Sequence, residues 1–191
     1  MPEHFFPMIA RMRYIDRWGL MRNTQIENIQ EHSHMVAVLA HALAMIQNRY
    51  FDGQVDPGDV AVAALYHDAS EIITGDMPTP IKYDNPEIKA AYKAVERVAE
   101  QKLLSMLPEE LRGDYEPIIT IPDPEIRSLV KAADKLSAYL KCVEELKAGN
   151  LEFKKAREQT YAALLENQTP ALKYFMEHFL EGFELTLDEL T

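Results

Sequence analysis

Cysteine is almost missing from this chain of 191 residues: Cys142 is the only one. No intrachain disulfide can form, and a reducing cytoplasm is the expected setting. Positive charge is also scarce. Lys and Arg number 20 against 31 Asp and Glu, for a net charge of −11. That balance argues against long nucleic acid as a partner, which needs clustered Lys and Arg. It leaves room for a small anionic substrate, whose charge a metal and one or two Arg can neutralise. No apolar run approaches the ~20 residues of a spanning helix. The stretch MPEHFFPMIARMRYIDRW lacks a continuous apolar segment, so no signal peptide is expected. Alternating β-branched runs are few. What is present is a hydrophobic content of 47%, which argues against disorder. The length suits a single domain over residues 1–191 with a sizeable core.

Apolar residues recur at three- and four-residue spacing nearly throughout, so the expected class is all-α. The pattern predicts a first helix over about Pro7 to Ile15, broken at Trp18-Gly19-Leu20. Thr24-x-x-Glu27 reads as a capping box for the next turn, ahead of a long helix from Glu31 to Arg49. A turn-rich connection from Phe51 leads to a helix over about Asp59 to Ile73, stopping at Gly75. Asp76-Met77-Pro78-Thr79-Pro80 is expected as a loop, because its prolines oppose a helix interior. A helix from about Pro86 to Leu107 follows, then a proline-rich link over Glu116 to Pro124. The next helix carries Asp134 and ends near Gly149-Asn150; two more span about Leu151 to Asn167 and Pro170 to Phe183.

The chemistry concentrates in VAVAALYHDASEII, where His67 and Asp68 adjoin inside an apolar stretch. An imidazole and a carboxylate offer a metal two kinds of ligand. On a continuous helix Glu71 falls about one turn further along the same side, placed to handle protons beside a metal. His32 in EHSHMVAVLAH and Asp134 in VKAADKLSAYL supply two more ligand types, each in an apolar helical run. Each has an ordinary reading. His67 could be a satisfied core histidine, His32 a first-turn residue, and Asp134 the partner of Lys131 or Lys135. Burying unpaired polar groups costs about 1–3 kcal/mol each, and a shared metal site explains all of them together. Mixed imidazole and carboxylate donors suit Mn, Fe, Co, Ni or Zn better than Mg or Ca. Four such ligands on an octahedral ion leave two positions for water and a substrate oxygen.

These residues resemble the H…HD…D pattern of the HD-domain phosphohydrolases. RMRYIDRWGLMRN, the EHS after it, LYHDASEIITGDMPTPIKY and KAADKLSAYLKCVEELKAGN further resemble the bacterial HD-domain 5′-deoxynucleotidases of the YfbR type. That resemblance implies an HD-domain helical bundle, a homodimer, and hydrolysis of 2′-deoxyribonucleoside 5′-monophosphates. It implies one divalent transition-metal cation such as Co or Mn, held by His32, His67, Asp68 and Asp134. Glu71 would serve as the proton-handling catalytic carboxylate, and Arg17 would orient the phosphate through its forked donors. Trp18 would sit against the sugar. Asp76, Met77, Pro78 and Thr79 would close over the nucleotide, with His32, Asp68 and Asp134 also touching it. Without the resemblance, Arg17 and Trp18 say little.

His34 stands where the family pattern leads one to expect an apolar residue; two residues from His32, it is expected on the surface. His4, His41 and His178 read as surface or helix-face histidines. No histidine lies between Asp68 and Asp134, unlike the two-metal HD phosphodiesterases, so one metal is expected. A triphosphohydrolase needs more cationic groups than Arg17, and Lys82 is the nearest other one. The rival readings are another HD phosphohydrolase with a different phosphomonoester, a helical protein merely stapled by metal, and an acidic interaction module.

Overall fold

Four helix starts in this chain are written as a capping side chain followed by proline. The computed structural model describes residues 3–82, 85–166 and 168–191, with the side chains of Thr79 and Pro80 outside that description. Asp56 caps α3 (Pro57–Tyr66), Asn85 caps α6 (Pro86–Leu104), Asp123 caps α8 (Pro124–Lys147) and Thr169 caps α10 (Pro170–Phe179). In each case a side-chain oxygen accepts from the first turn's N–H groups, and proline occupies a position that needs no donor. The long α2 (Ile29–Tyr50) instead has a reciprocal capping box between Asn28 and Glu31. The expected box at Thr24 and Glu27 is therefore not a cap, and both side chains are used elsewhere.

The remaining helices are α1 (Phe5–Ile9) running into a 3-10 turn (Ala10–Tyr14), the short α4 (Glu71–Thr74) and α5 (Thr79–Lys82), α7 (Glu109–Thr120) and α9 (Lys154–Glu166). Among the described residues the only β pairing is an isolated antiparallel bridge between Asp16 and Asn28. The all-α reading holds. None of these helices is long and apolar enough to cross a membrane.

The main core lies where α2 packs against α3, α8 and α10. It is built from the i, i+3, i+4, i+7 faces of those helices: Val36, Ala40 and Leu43 of α2, Val60 and Ala64 of α3, Leu129, Ala133 and Leu136 of α8, and Leu172 of α10. A second cluster joins Phe5, Ala69, Leu103, Leu107 and Ile119, walled by Tyr66 and Tyr115. Ala64 belongs to the first cluster and Ala69 to the second, so the chain between them crosses the seam of the two cores.

Three expectations are corrected. The helix expected from Asp59 to Ile73 is broken: α3 stops at Tyr66, and His67 to Ser70 are turns before α4. The proline-rich link over Glu116 to Pro124 is largely helical, because α7 carries Pro117 in its interior and ends only at Ile121, which takes a left-handed φ of 44°. Burial of Ile119 and packing against α6 hold that helix despite the lost donor. The loop beginning at Asp76 closes into α5 at Thr79, with Pro80 in the first turn where proline is tolerated. The expected helix end at Asn167 falls outside the described residues.

Candidate metal and phosphate site

The break after α3 is what aims His67. Its backbone N–H and its ring Nδ1 both donate to the carbonyl of Ala64, at 3.4 and 2.7 Å, a carbonyl that a continuing helix would have engaged. With the proton fixed on Nδ1, the lone pair of neutral His67 is on Nε2, facing inward. Nε2 lies 3.2 Å from Asp68 Oδ2 but out of line for a hydrogen bond, so this buried nitrogen has no hydrogen-bond partner.

His32 reaches the same point from the first turn of α2 and is wholly buried. Its Nδ1 lies 3.2 Å from Ser137 Oγ, while its Nε2 lies 3.1 Å from Asp134 Oδ1 and 3.6 Å from Asp68 Oδ2. Donor atoms of His32, His67 and Asp68 all lie within 4.8 Å of one another. Asp134, from the middle of α8, joins through its contact with His32. The structure thus gathers three of the four expected ligands into one group, with Asp134 adjoining it through His32.

A partly buried cluster of this kind fits a cation on its own chemistry. Each imidazole has one nitrogen engaged with a group of the chain and presents the other to the carboxylates, an arrangement that orients metal-binding histidines. Burial disfavours charge on His67, but Asp68 outweighs it, and the imidazole pKa is pushed up to about 9. Burial would raise Asp68, yet His67, His32 and Arg17 hold it well below the usual carboxylate range. The site therefore demands positive charge, which a metal supplies better than a proton.

Glu71 begins α4 and is 5% exposed. One of its oxygens is buried with no hydrogen-bond partner. Burial, then the charges of Asp68 and Asp76, push its pKa up to about 9 against the pull of Arg17 and Lys82. At neutral pH this carboxyl holds a proton.

Arg17 approaches the same Asp68 oxygen as the two histidines, Oδ2, at 3.3 Å through Nη1, and also donates through Nε to Glu27 Oε2 at 3.1 Å. Trp18 follows with a left-handed φ of 58°, a conformation that costs a bulky residue about 1–3 kcal/mol. Its indole N–H donates to the same Glu27 oxygen at 3.2 Å, and its ring meets Phe153 with centroids 5.3 Å apart. Burial pushes the Asp76 carboxyl up, against the pull of the Arg17 charge. Met77 and Pro78 continue the same loop and are half-buried; the Thr79 side chain lies outside the described residues.

Sequence reasoning missed Glu27 as part of this site, and with it the buried Ser137 behind His32. Ser137 sits one helical turn after Asp134, a spacing that marks it as a neighbour on the same face. Glu27 carried no such signal, because its partners depend on how the 16–28 segment folds back. His34 is exposed, as expected, as are His4, His41 and His178.

The family model for 5′-deoxynucleotidase YfbR-like proteins matches residues 4–183. The chain belongs to this family. A 5′-deoxynucleotidase of Vibrio cholerae serotype O1 is 51% identical over 191 residues, covering 99% of this chain and 98% of that protein. An HD-domain phosphohydrolase from Listeria innocua shares the fold with a TM-score of 0.82 at 22% identity, over 94% of this chain and 88% of its own. An HD phosphohydrolase of cyanophage S-2L, solved with dA and one catalytic Zn²⁺ ion, aligns with a TM-score of 0.66 at 23% identity over 94% of this chain and 96% of its own. As a member of the YfbR-like family, the chain has the helical HD-domain fold of these two structures.

Proposed function

We propose that residues 1–191 form one HD domain that hydrolyses 2′-deoxyribonucleoside 5′-monophosphates to deoxynucleoside and phosphate. The observation that carries the reading is the convergence of His67 Nε2, His32 Nε2 and an Asp68 oxygen, with Asp134 against His32 and Arg17 against Asp68. Its support is membership of a family of 5′-deoxynucleotidases and a fold relative solved with dA and Zn²⁺. His32, His67, Asp68 and Asp134 would hold one divalent transition metal, with Co²⁺ or Mn²⁺ among the ions such donors suit. That ion supplies Lewis acidity toward a phosphoryl oxygen and a lowered pKa for water.

The chain's own groups divide the remaining work. Arg17, charged and half-shielded, orients the phosphate and offsets charge on its oxygens. Water attacks phosphorus, the bond from phosphorus to the 5′ oxygen breaks, and that oxygen leaves with a proton. Glu71 moves the proton, being a carboxyl that holds one at neutral pH. Trp18 borders the deoxyribose, where an added 2′-hydroxyl would lose water without gaining a partner. Asp76, Met77, Pro78 and Thr79 line the nucleotide, and His32, Asp68 and Asp134 touch its phosphate. A homodimer in a reducing cytoplasm completes the proposal; the single Cys142 is buried.

The test is phosphate release from dAMP and AMP by metal-stripped protein with Co²⁺, Mn²⁺, Zn²⁺ or Mg²⁺ restored. Metal-dependent turnover of dAMP over AMP is expected. Equal turnover would leave a phosphomonoesterase without the sugar gate, and no turnover with any ion would overturn the proposal.

A further inference from the structure

Among the described residues, Glu27 is the one charged side chain hydrogen-bonded to both the Arg17 and Trp18 side chains. A single oxygen, Oε2, accepts from Arg17 Nε at 3.1 Å and from Trp18 Nε1 at 3.2 Å. Its backbone carbonyl accepts from Arg17 N at 2.8 Å, and the rung is extended by Ile29 N donating to Ile15 O at 3.0 Å and by the Asp16–Asn28 bridge. The carboxylate is 17% exposed, and the cap of α2 makes no use of it. Trp18 meanwhile holds a left-handed φ that its side chain disfavours. Something must hold it there. The indole's only described hydrogen bond is the one to Glu27.

We infer that Glu27 is a positioning residue that sets the phosphate-facing guanidinium and the sugar-facing indole with one shared oxygen, so that phosphate capture and sugar discrimination are mechanically coupled. The inference rests on the assignment of Arg17 and Trp18 made above. Because both donors share an acceptor, neither can turn without releasing or dragging the other. Losing Glu27 releases the indole N–H, leaving the ring held by its contact with Phe153, and leaves the guanidinium with its hydrogen bond to Asp68.

The experiment compares Glu27→Ala, Glu27→Gln, Trp18→Phe and the double variant Glu27→Ala/Trp18→Phe, each checked for folding by circular dichroism and melting. Trp18 is the only tryptophan, so its emission and its quenching by acrylamide report the indole directly, without substrate or turnover. In Glu27→Ala the emission shifts and quenching rises. KM for dAMP rises about tenfold or more, as expected for loss of a charge-assisted hydrogen bond that orients the arginine. The ratio of kcat/KM for dAMP over AMP falls, and Trp18→Phe adds little further loss of that ratio in the double variant, because the two act through one contact. Glu27→Gln keeps an oxygen acceptor in the same volume and falls between wild type and Glu27→Ala; it decides the matter if the alanine variant fails to fold.

A folded Glu27 variant with wild-type quenching, KM and dAMP preference overturns the inference. Equal turnover of dAMP and AMP by the wild type would instead sink the sugar-sensing assignment of Trp18. Positioning would then be judged on quenching and KM alone, and unchanged values would overturn it.

Discussion

Replacing Glu145 with alanine should destabilise the protein more than any other single change outside the hydrophobic core. The carboxylate is 1% exposed. It accepts from Thr24 N at 2.9 Å, Thr24 Oγ1 at 2.7 Å, Gln25 N at 3.3 Å, Lys141 Nζ at 2.5 Å and Asn150 Nδ2 at 2.8 Å. Lys141, only 5% exposed, also donates to the Gln25 carbonyl. Glu145→Ala strands that ammonium with one carbonyl and orphans the donors of the 24–25 loop. Breaking a buried pair from one side costs about 3–5 kcal/mol. For a chain of this size, each kcal/mol lowers the melting temperature by about 2–4 °C, so the expected fall is about 6–20 °C. Lys141→Met should cost less, because the carboxylate keeps its neutral donors, and the double variant should recover part of the loss. Urea and thermal unfolding at pH 7.5 measure all three.

Acid supplies a second readout. Burial pushes Glu145 up, but Lys141, Thr24 and Asn150 outweigh it and hold the carboxyl well below its usual range. A depressed folded pKa contributes stability that is complete above the unfolded value of about 4.3 and drains away as pH falls toward the folded one. Wild-type stability should therefore fall more steeply below about pH 4.5 than that of Glu145→Ala. A loss under about 1 kcal/mol at pH 7.5, with parallel acid slopes, would mean the pair behaves like an exposed one and the reasoning fails.

Three further outcomes follow from the site. Glu71→Gln should keep the fold and the metal yet lose about 10²–10⁴ in kcat, as for removal of a proton-transfer group; turnover within threefold of wild type, roughly 0.7 kcal/mol of barrier, would remove Glu71 from the chemistry. Since His67 is protonated up to about pH 9 without metal, loading the stripped protein at pH 7.5 should release about one proton. Calorimetry in two buffers of different ionisation enthalpy counts it, and no release would mean His67 is not a ligand. Gly75 closes α4 at φ 74°, ψ 159°, a region nearly reserved for glycine, with open space where a Cβ would stand. Gly75→Ala should cost about 1–3 kcal/mol through backbone strain alone, read as a shift in the urea midpoint, and an unchanged midpoint would show that the turn relaxes.

The gathering of His32, His67, Asp68 and Asp134 was legible because such residue types are costly to bury, and each interrupts an apolar face. The long helices were legible for the same reason, through the spacing of those faces. What the spacing could not reveal was the break after Tyr66. No glycine or proline marks it, and only His67, Asp68 and Ser70, side chains able to bond nearby backbone, hint that the helix yields there. Pro117 misled in the opposite sense, since tertiary burial of Ile119 outweighs one missing donor. Thr24 and Glu27 matched a capping pattern locally, but Asn28 and Glu31 match it better. The two displaced side chains went to long-range partners, Glu145 and the Arg17–Trp18 pair, which no local pattern contains.

The distances along the chain have a consequence for its synthesis. His32 meets Asp134 and Ser137 across 102 and 105 residues, and Arg17 meets Asp68 across 51. A growing chain emerges from its N-terminus and presents His32, His67 and Asp68 long before α8 appears. Until that helix docks, the nascent protein lacks Asp134 of the proposed ligand set, and His32 lacks both of its α8 partners. On the proposed ligand set, hydrolytic competence is withheld from chains that lack α8, and its onset during translation would mark the moment that helix takes its place.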